Sequence, residues 1–436
     1  MDARLRRASK KDEPALVTAL FSRRLAQPLA RLCVRLGIPA NAVTVAGGLC
    51  WIAALPLAPL AGVFVRAGRP AGPWLWLACA VLWNAGYWLD VVDGSVARMT
   101  GTSSRAGFFL DYVFHLLSKP ALLFSAAMGA AICAPDPCAQ VLLVLAVLSV
   151  PANGAADSTA AELALRAEVA AGRLRPGEGA AALWLGADDV VAPAARKRAT
   201  PLRALATLAR EVLSYYLQYT FVSLLVLADL ALAFVLGAPP RGPLGAMPVT
   251  GVGLALLCAA LALRIPLRER RERRRLAALG SSSALRAFAR FRARLRIESL
   301  LFAGCGAGAA FFAARISPTL WASVLGVCAA PLGVVACVPA EEGGAAHVLC
   351  QTAPRSPAPP SAWEPRWPRG PLVVLLFSFG LLFGMVVLGP ISPGVRDSLL
   401  VAAFCTATVV APALSLFFTL LLPFRLARAY QRLHMP

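Results

Sequence analysis

Carboxylates are scarce in this chain. Asp and Glu number 22 among 436 residues, and charged residues of both signs make up only 15%. A soluble domain of ordinary composition carries about a quarter, so the sequence excludes a water-soluble globular fold of this length. Histidine is scarcer still, with three copies. The eleven cysteines form no CxxC pair and no Cys/His cluster, which removes the structural zinc folds. Most of them sit in apolar runs, where Cys behaves as a small apolar residue. Cys133 and Cys138, in CAPDPC, share one short loop; a disulfide there depends on an oxidising compartment and stays open. The opening MDARLRRASKKDEP leads into no apolar signal core, so no cleaved leader is expected.

Hydrocarbon is what the chain has in quantity. It is 58% hydrophobic with a mean hydropathy of +0.68. Its apolar runs predict ten membrane spans, at about 42–65, 73–95, 106–132, 138–158, 210–237, 247–264, 298–314, 318–338, 370–390 and 398–423. Each is about the length needed to cross a hydrocarbon core of about 30 Å. The expected fold is an all-α polytopic membrane protein. With these spans, 36 of the 43 Lys and Arg residues face one side and 5 the other, which accounts for the net charge of +21. That asymmetry follows the positive-inside rule and predicts both termini in the cytoplasm. The densest basic stretch, RIPLRERRERRRLAAL over 264–279, abuts a span. Its expected partner is anionic lipid headgroups, and no nucleic acid is expected.

The organisation divides into four. Residues 1–41 are a cytoplasmic or interfacial segment whose weakly amphipathic, Arg-rich LVTALFSRRLAQPLARLCVRLG is expected to lie along the membrane surface. Residues 42–264 hold six spans, with a polar cytoplasmic insertion at about 160–205. Residues 265–297 are a basic cytoplasmic linker. Residues 298–436 hold four further spans, interrupted by a Pro-rich stretch expected to be extended. No internal repeat is evident.

Against this background the stretch DVVDGSVARMTGTSSRAGFFLDYVFH, residues 90–115, is unusual. On a helix Asp90 and Asp93 share a face, as do Asp111 and His115 on the next span. The short polar turn MTGTSSRAG makes the two helices antiparallel neighbours, with their acidic ends facing each other across a cleft open to the cytoplasm. Gly94 and Ala97 are small enough for close packing or close approach of a ligand. Carboxylates beside hydrocarbon are costly unless compensated. A hard divalent cation with oxygen ligands, foremost Mg²⁺, is the natural compensation.

The run Asp90-x2-Asp93-Gly94-x2-Ala97-Arg98-x8-Gly107-x3-Asp111 resembles the signature of the CDP-alcohol phosphatidyltransferase family, D-x2-D-G-x2-A-R-x8-G-x3-D-x3-D, and matches seven of its eight defined positions. GIPANAVT (37–44) also resembles the family's P-N-x-x-T element before the first span. The resemblance covers about residues 15–265; the rest of the chain resembles nothing nameable. It implies a six-helix bundle that moves a phosphatidyl group from a CDP-linked lipid, typically CDP-diacylglycerol, to an alcohol, releasing CMP, in phospholipid biosynthesis. It implies Asp90, Asp93 and Asp111 as ligands of Mg²⁺ or Mn²⁺, as two ions. Gly94, Ala97, Arg98 and Gly107 would line the CDP pocket, with Asn41 and Thr44 on its nucleotide side. The family commonly forms homodimers, and a bacterial cytoplasmic membrane is the expected location.

The departure is the fourth acidic position, which the family uses as general base and which is His115 here. Three readings stay open. The imidazole is the base, its ordinary pKa near 6.5 suiting the task; or it is a nitrogen ligand favouring a more transition-metal-like ion; or the protein is a catalytically weak homologue that binds CDP-lipid without turning it over. A transporter with carboxylates near the bilayer midplane, or a scaffold built on the last four spans, is a different class of reading. The acids' place at the cytoplasmic edge of two adjacent helices favours the transferase. Arg105 and Lys119 are interface anchors or acceptor contacts; Asn153 and Asp157 border the acceptor side or begin the insertion; His347 and His434 carry no expected role. No acceptor alcohol is legible.

Overall fold

The structure, a computed structural model, describes residues 23–102, 105–153, 215–236, 247–278 and 280–316, with a few positions between 160 and 213. Among these residues every regular element is helical: α1 (Arg23–Arg35), α2 (Ala40–Arg66), α3 (Ala71–Thr100), α4 (Arg105–Cys133), α5 (Asp136–Asn153), α6 (Tyr215–Leu236), α7 (Pro248–Leu263), α8 (Ile265–Ala278) and α9 (Ser282–Ile316). The expected spans from 42–65 to 247–264 correspond to α2–α7, and 298–314 forms the second half of α9. The spans expected at 318–338, 370–390 and 398–423 lie outside the described residues, as do the first 22 residues and most of the insertion.

Two glycine turns place the motif segments. Gly37, at φ 68°, ends α1, and the N–H of Ile38 reaches back to the carbonyl of Cys33 at 2.9 Å. Pro39 then caps α2. Gly101, at φ 69°, ends α3, with the N–H of Thr102 on the Ala97 carbonyl at 3.0 Å. Only glycine takes this left-handed conformation without steric cost.

α2 packs against both α3 and α4; α3 also meets α1 and α6, and α5 meets α4, α7 and α9. Lipid tails are as apolar as leucine, so small residues and interhelical hydrogen bonds join such helices. A Cβ on Gly62 would lie 2.3 Å from the Gly129 carbonyl oxygen, and one on Gly86 2.4 Å from the Trp51 indole. The Trp51 indole N–H donates to the Trp83 carbonyl at 3.2 Å, the Ser125 hydroxyl to the Leu55 carbonyl at 2.5 Å, and the Asn84 amide to Ser223 at 2.7 Å. Trp76, Trp83, Tyr87 and Phe124 are buried inside, while Trp74, Val81, Leu224 and Phe234 are exposed. An exterior this apolar is suited to lipid. Four described helices, Ala40–Arg66, Ala71–Thr100, Leu217–Leu236 and Pro248–Ala278, are long and apolar enough to cross a bilayer. The chain is an all-α integral membrane protein. Cys133 and Cys138 are both free thiols, and Cys133 Sγ donates to the Gly62 carbonyl at 3.4 Å.

The basic segment is helical over 265–278 and 282–297 and folded onto the bundle. Glu269 of α8 pairs with Arg273 at 3.1 Å, with Arg296 of α9 at 3.3 Å, and with Arg292. Arg264 donates to the Leu213 carbonyl at 2.7 Å, and Arg268 donates to the carbonyl of Ala152 at the end of α5. Glu168, 1% exposed, accepts hydrogen bonds from Ser281 and Ser283 at 2.7 Å each. Ser281 Oγ in turn accepts the N–H of Ala284 at 3.2 Å and caps α9. Glu168→Ala removes the acceptor from two half-buried hydroxyls, so it is expected to lower stability by about 1–3 kcal/mol. Thermal unfolding in detergent checks this; an unchanged midpoint would show that the latch contributes nothing.

Candidate metal centre

Antiparallel packing brings the start of α2, the end of α3 and the start of α4 to one end of the bundle. Asp90 and Asp93 lie near the end of α3, and Asp111 lies on the second turn of α4. One carboxylate oxygen from each falls within 4.8 Å of the other two. Asp93 is buried at 6% exposure, and Asp90 and Asp111 are half-buried. At an effective dielectric of about 20, each ionised pair at this range repels by about 3 kcal/mol or more. Three such pairs need a compensating positive charge. Among the described residues the cluster offers oxygen donors, which suit a hard divalent cation such as Mg²⁺ or Mn²⁺ better than a soft metal.

Thr44, on the second turn of α2, donates its hydroxyl to Asp93 Oδ2 at 2.5 Å, with the Ala40 carbonyl 3.2 Å away. It is itself 7% exposed. The pair Gly47–Gly48, one turn further on, permits this reach. A Cβ on Gly47 would lie 3.1 Å from the Gly86 carbonyl oxygen, and one on Gly48 would lie 2.2 Å from the Phe114 ring. Phe114 follows Asp111 by three residues on α4, so this contact sets how closely α4 approaches α2. Gly48→Val is therefore expected to push α4 away and separate Asp111 from Asp90 and Asp93. It should reduce metal binding about tenfold or more, by the usual effect of disturbing a ligand's support. Mn²⁺ titration checks this, and unchanged affinity would show that the Gly48–Phe114 contact does not position the acids.

Of the other sequence candidates, Gly94 leaves room for Arg98, whose Nη1 would lie 3.2 Å from a Cβ at that position. The Arg98 guanidinium is half-buried; Nη2 donates to Ser95 Oγ at 3.3 Å, and Nε is buried without a hydrogen-bond partner. Ala97 and Gly107 are half-buried on the same two helices. Asn41 is exposed on the first turn of α2. His115 lies one helical turn after Asp111 on α4, and its side chain is outside the described residues. The same is true of the side chains of Arg105, Lys119 and Asn153, while Asp157, His347 and His434 lie wholly outside.

The direct Thr44–Asp93 bond and the Gly47–Gly48 wedge are what reasoning from sequence missed. The paired glycines within an apolar run were the available signal.

The family model for CDP-alcohol phosphatidyltransferase matches residues 38–172. The match takes in α2–α5 with all of the Asp90–His115 stretch, and it ends before α6 and α7. No curated protein and no solved structure matches the chain. Over residues 38–172 the chain is therefore similar to the CDP-alcohol phosphatidyltransferase family.

Proposed function

We propose that this protein transfers a phosphatidyl group from CDP-diacylglycerol or a related CDP-lipid to an alcohol acceptor, releasing CMP, as a step of phospholipid biosynthesis. The observation that carries the reading is the convergence of Asp90, Asp93 and Asp111 within 4.8 Å inside the matched domain. These carboxylates would hold a pair of Mg²⁺ or Mn²⁺ ions, which supply neutralisation of the diphosphate and polarisation of the phosphorus under attack. Arg98, with its buried Nε unpartnered, offers donors to a phosphate oxygen of the CDP group. Gly94 and Ala97 leave space beside it, and Gly107 and Asn41 complete the proposed CDP contacts.

The chemical step is one displacement at phosphorus. The acceptor's oxygen forms a bond to the phosphatidyl phosphorus, the bond to the CMP oxygen breaks, and CMP departs as the anion. The acceptor's proton goes to His115, the residue at the family's base position. The site is proposed to open to the cytoplasm, where soluble nucleotide and a membrane-borne lipid meet. The His115 replacement itself favours a second reading, in which the protein holds CDP-lipid and turns it over poorly.

Incubating the purified protein with CDP-diacylglycerol, Mg²⁺ and a panel of alcohols, with lipid products read by mass spectrometry, tests the proposal. A new phospholipid with one acceptor supports transfer and names the acceptor. Tight binding of CDP-diacylglycerol with no product from any acceptor would favour the second reading.

A further inference from the structure

Thr44 has one hydroxyl proton, and its Oγ1 lies 2.5 Å from Asp93 Oδ2 and 3.2 Å from the Ala40 carbonyl oxygen; an ionised Asp93, the nearer and stronger acceptor, takes that proton. Both residues are buried, at 7% and 6% exposure. A hydroxyl whose proton is held by an ionised carboxylate, at a position nearly closed to solvent, is poorly placed to donate to a nucleotide. From this geometry we infer that Thr44 is a positioning residue for Asp93, fixing that carboxylate for its cation, and is not a contact for the cytidine. The inference rests on the metal reading of the acidic cluster and assigns Thr44 a different part in it from the one the family resemblance suggests.

The physical argument has three parts. Asp93 belongs to α3 and Thr44 to α2, so the bond ties the ligand to a second helix and restricts its side-chain rotation. A hydroxyl donor to a carboxylate is a charge-assisted bond, about twice as strong as one between neutral groups. Partners of this kind around metal ligands typically change metal affinity by about 10–100-fold when removed. The geometry that permits the bond is built in, since Gly47, one turn along α2, lies against the Gly86 carbonyl and Leu89 of α3.

The test compares Thr44→Val, which keeps the shape and removes the hydroxyl, with Thr44→Ser, which keeps the hydroxyl. Mn²⁺ binding to the purified protein is followed by electron paramagnetic resonance, with Asp93→Asn as reference. The inference predicts that Thr44→Val weakens Mn²⁺ binding about tenfold or more, and that Thr44→Ser stays within about threefold of wild type. At saturating metal, the dissociation constant for CDP-diacylglycerol should be unchanged in both variants. Wild-type Mn²⁺ affinity in Thr44→Val, with weaker CDP-diacylglycerol binding, would overturn the inference and return Thr44 to the nucleotide. Failure of Thr44→Ser to rescue Mn²⁺ binding would also overturn it, because packing and not the hydroxyl would then be responsible. If the wild-type protein binds no Mn²⁺, the metal reading fails first and this inference with it.

Discussion

Asp93→Asn should lower the rate of metal-dependent CMP release by about three orders of magnitude. The estimate follows from the several kcal/mol that divalent-cation catalysis supplies, with each 1.36 kcal/mol corresponding to a factor of ten in rate. Asparagine keeps the size of the side chain and an oxygen to accept the Thr44 hydroxyl, so the fold should survive. It removes the charge that makes the position a good cation ligand. A second signature separates loss of a ligand from general damage. Without metal, the variant relieves repulsion among three carboxylates packed within 4.8 Å, so in EDTA it should unfold at the same temperature as wild type or higher. Added Mg²⁺ should then stabilise the wild-type protein and not the variant, because only a bound ion shifts the folding equilibrium. A variant that kept activity within threefold, or gained the same Mg²⁺ stabilisation, would mean that the acids are joined for structural reasons alone.

The second large effect is expected at His115. If the imidazole accepts the acceptor's proton, His115→Ala should reduce kcat about 10²–10⁴-fold, the usual contribution of a positioned base, with Mn²⁺ affinity unchanged. His115→Asp restores the residue type of the family pattern and should recover much of the rate. The competing readings give other results. A metal-ligating histidine would lower Mn²⁺ affinity when removed. In a protein that has lost turnover, the wild type would be slow and His115→Asp would be faster than wild type. Measuring kcat and Mn²⁺ binding on the same three proteins decides among them.

The sequence and the structure agree most closely where single-helix physics dominates. Runs of apolar residues near the span length mark α2–α7 without any knowledge of packing, and the i, i+3 spacing of Asp90 and Asp93 places them on one face of α3. That Asp111 joins them follows from the short turn between antiparallel neighbours. What sequence did not disclose depends on contacts between distant positions. Thr44 and Asp93 are 49 residues apart, and the bond depends on how closely α2 approaches α3, which paired glycines permit but do not specify. The basic stretch from 265 reads as a cytoplasmic linker by charge alone, with no sign of what it packs against. In the structure it is held as helix by Glu269 between three arginines and by the buried Glu168 receiving Ser281 and Ser283. Glu168 lies over a hundred residues from those serines, and one acidic residue in a polar insertion carries no local sign of its partner.

The helices α8 and α9 begin beyond the end of the family match at residue 172, yet Leu276, Ala284, Phe288 and Leu295 are buried in the same core as the bundle. Arg264 and Arg268 bind backbone carbonyls near the ends of α6 and α5. This part of the chain is therefore packed as part of the bundle, and truncation at the end of the family match would strip apolar surface from it.

The most direct test of the central claim is CMP release from CDP-diacylglycerol by the purified protein, measured with Mg²⁺, with Mn²⁺ and with EDTA in the presence of the acceptor panel. The account predicts release that requires a divalent cation and an acceptor and is lost in Asp93→Asn. Release that persists in EDTA at the same rate, or in Asp93→Asn with metal present, would contradict it.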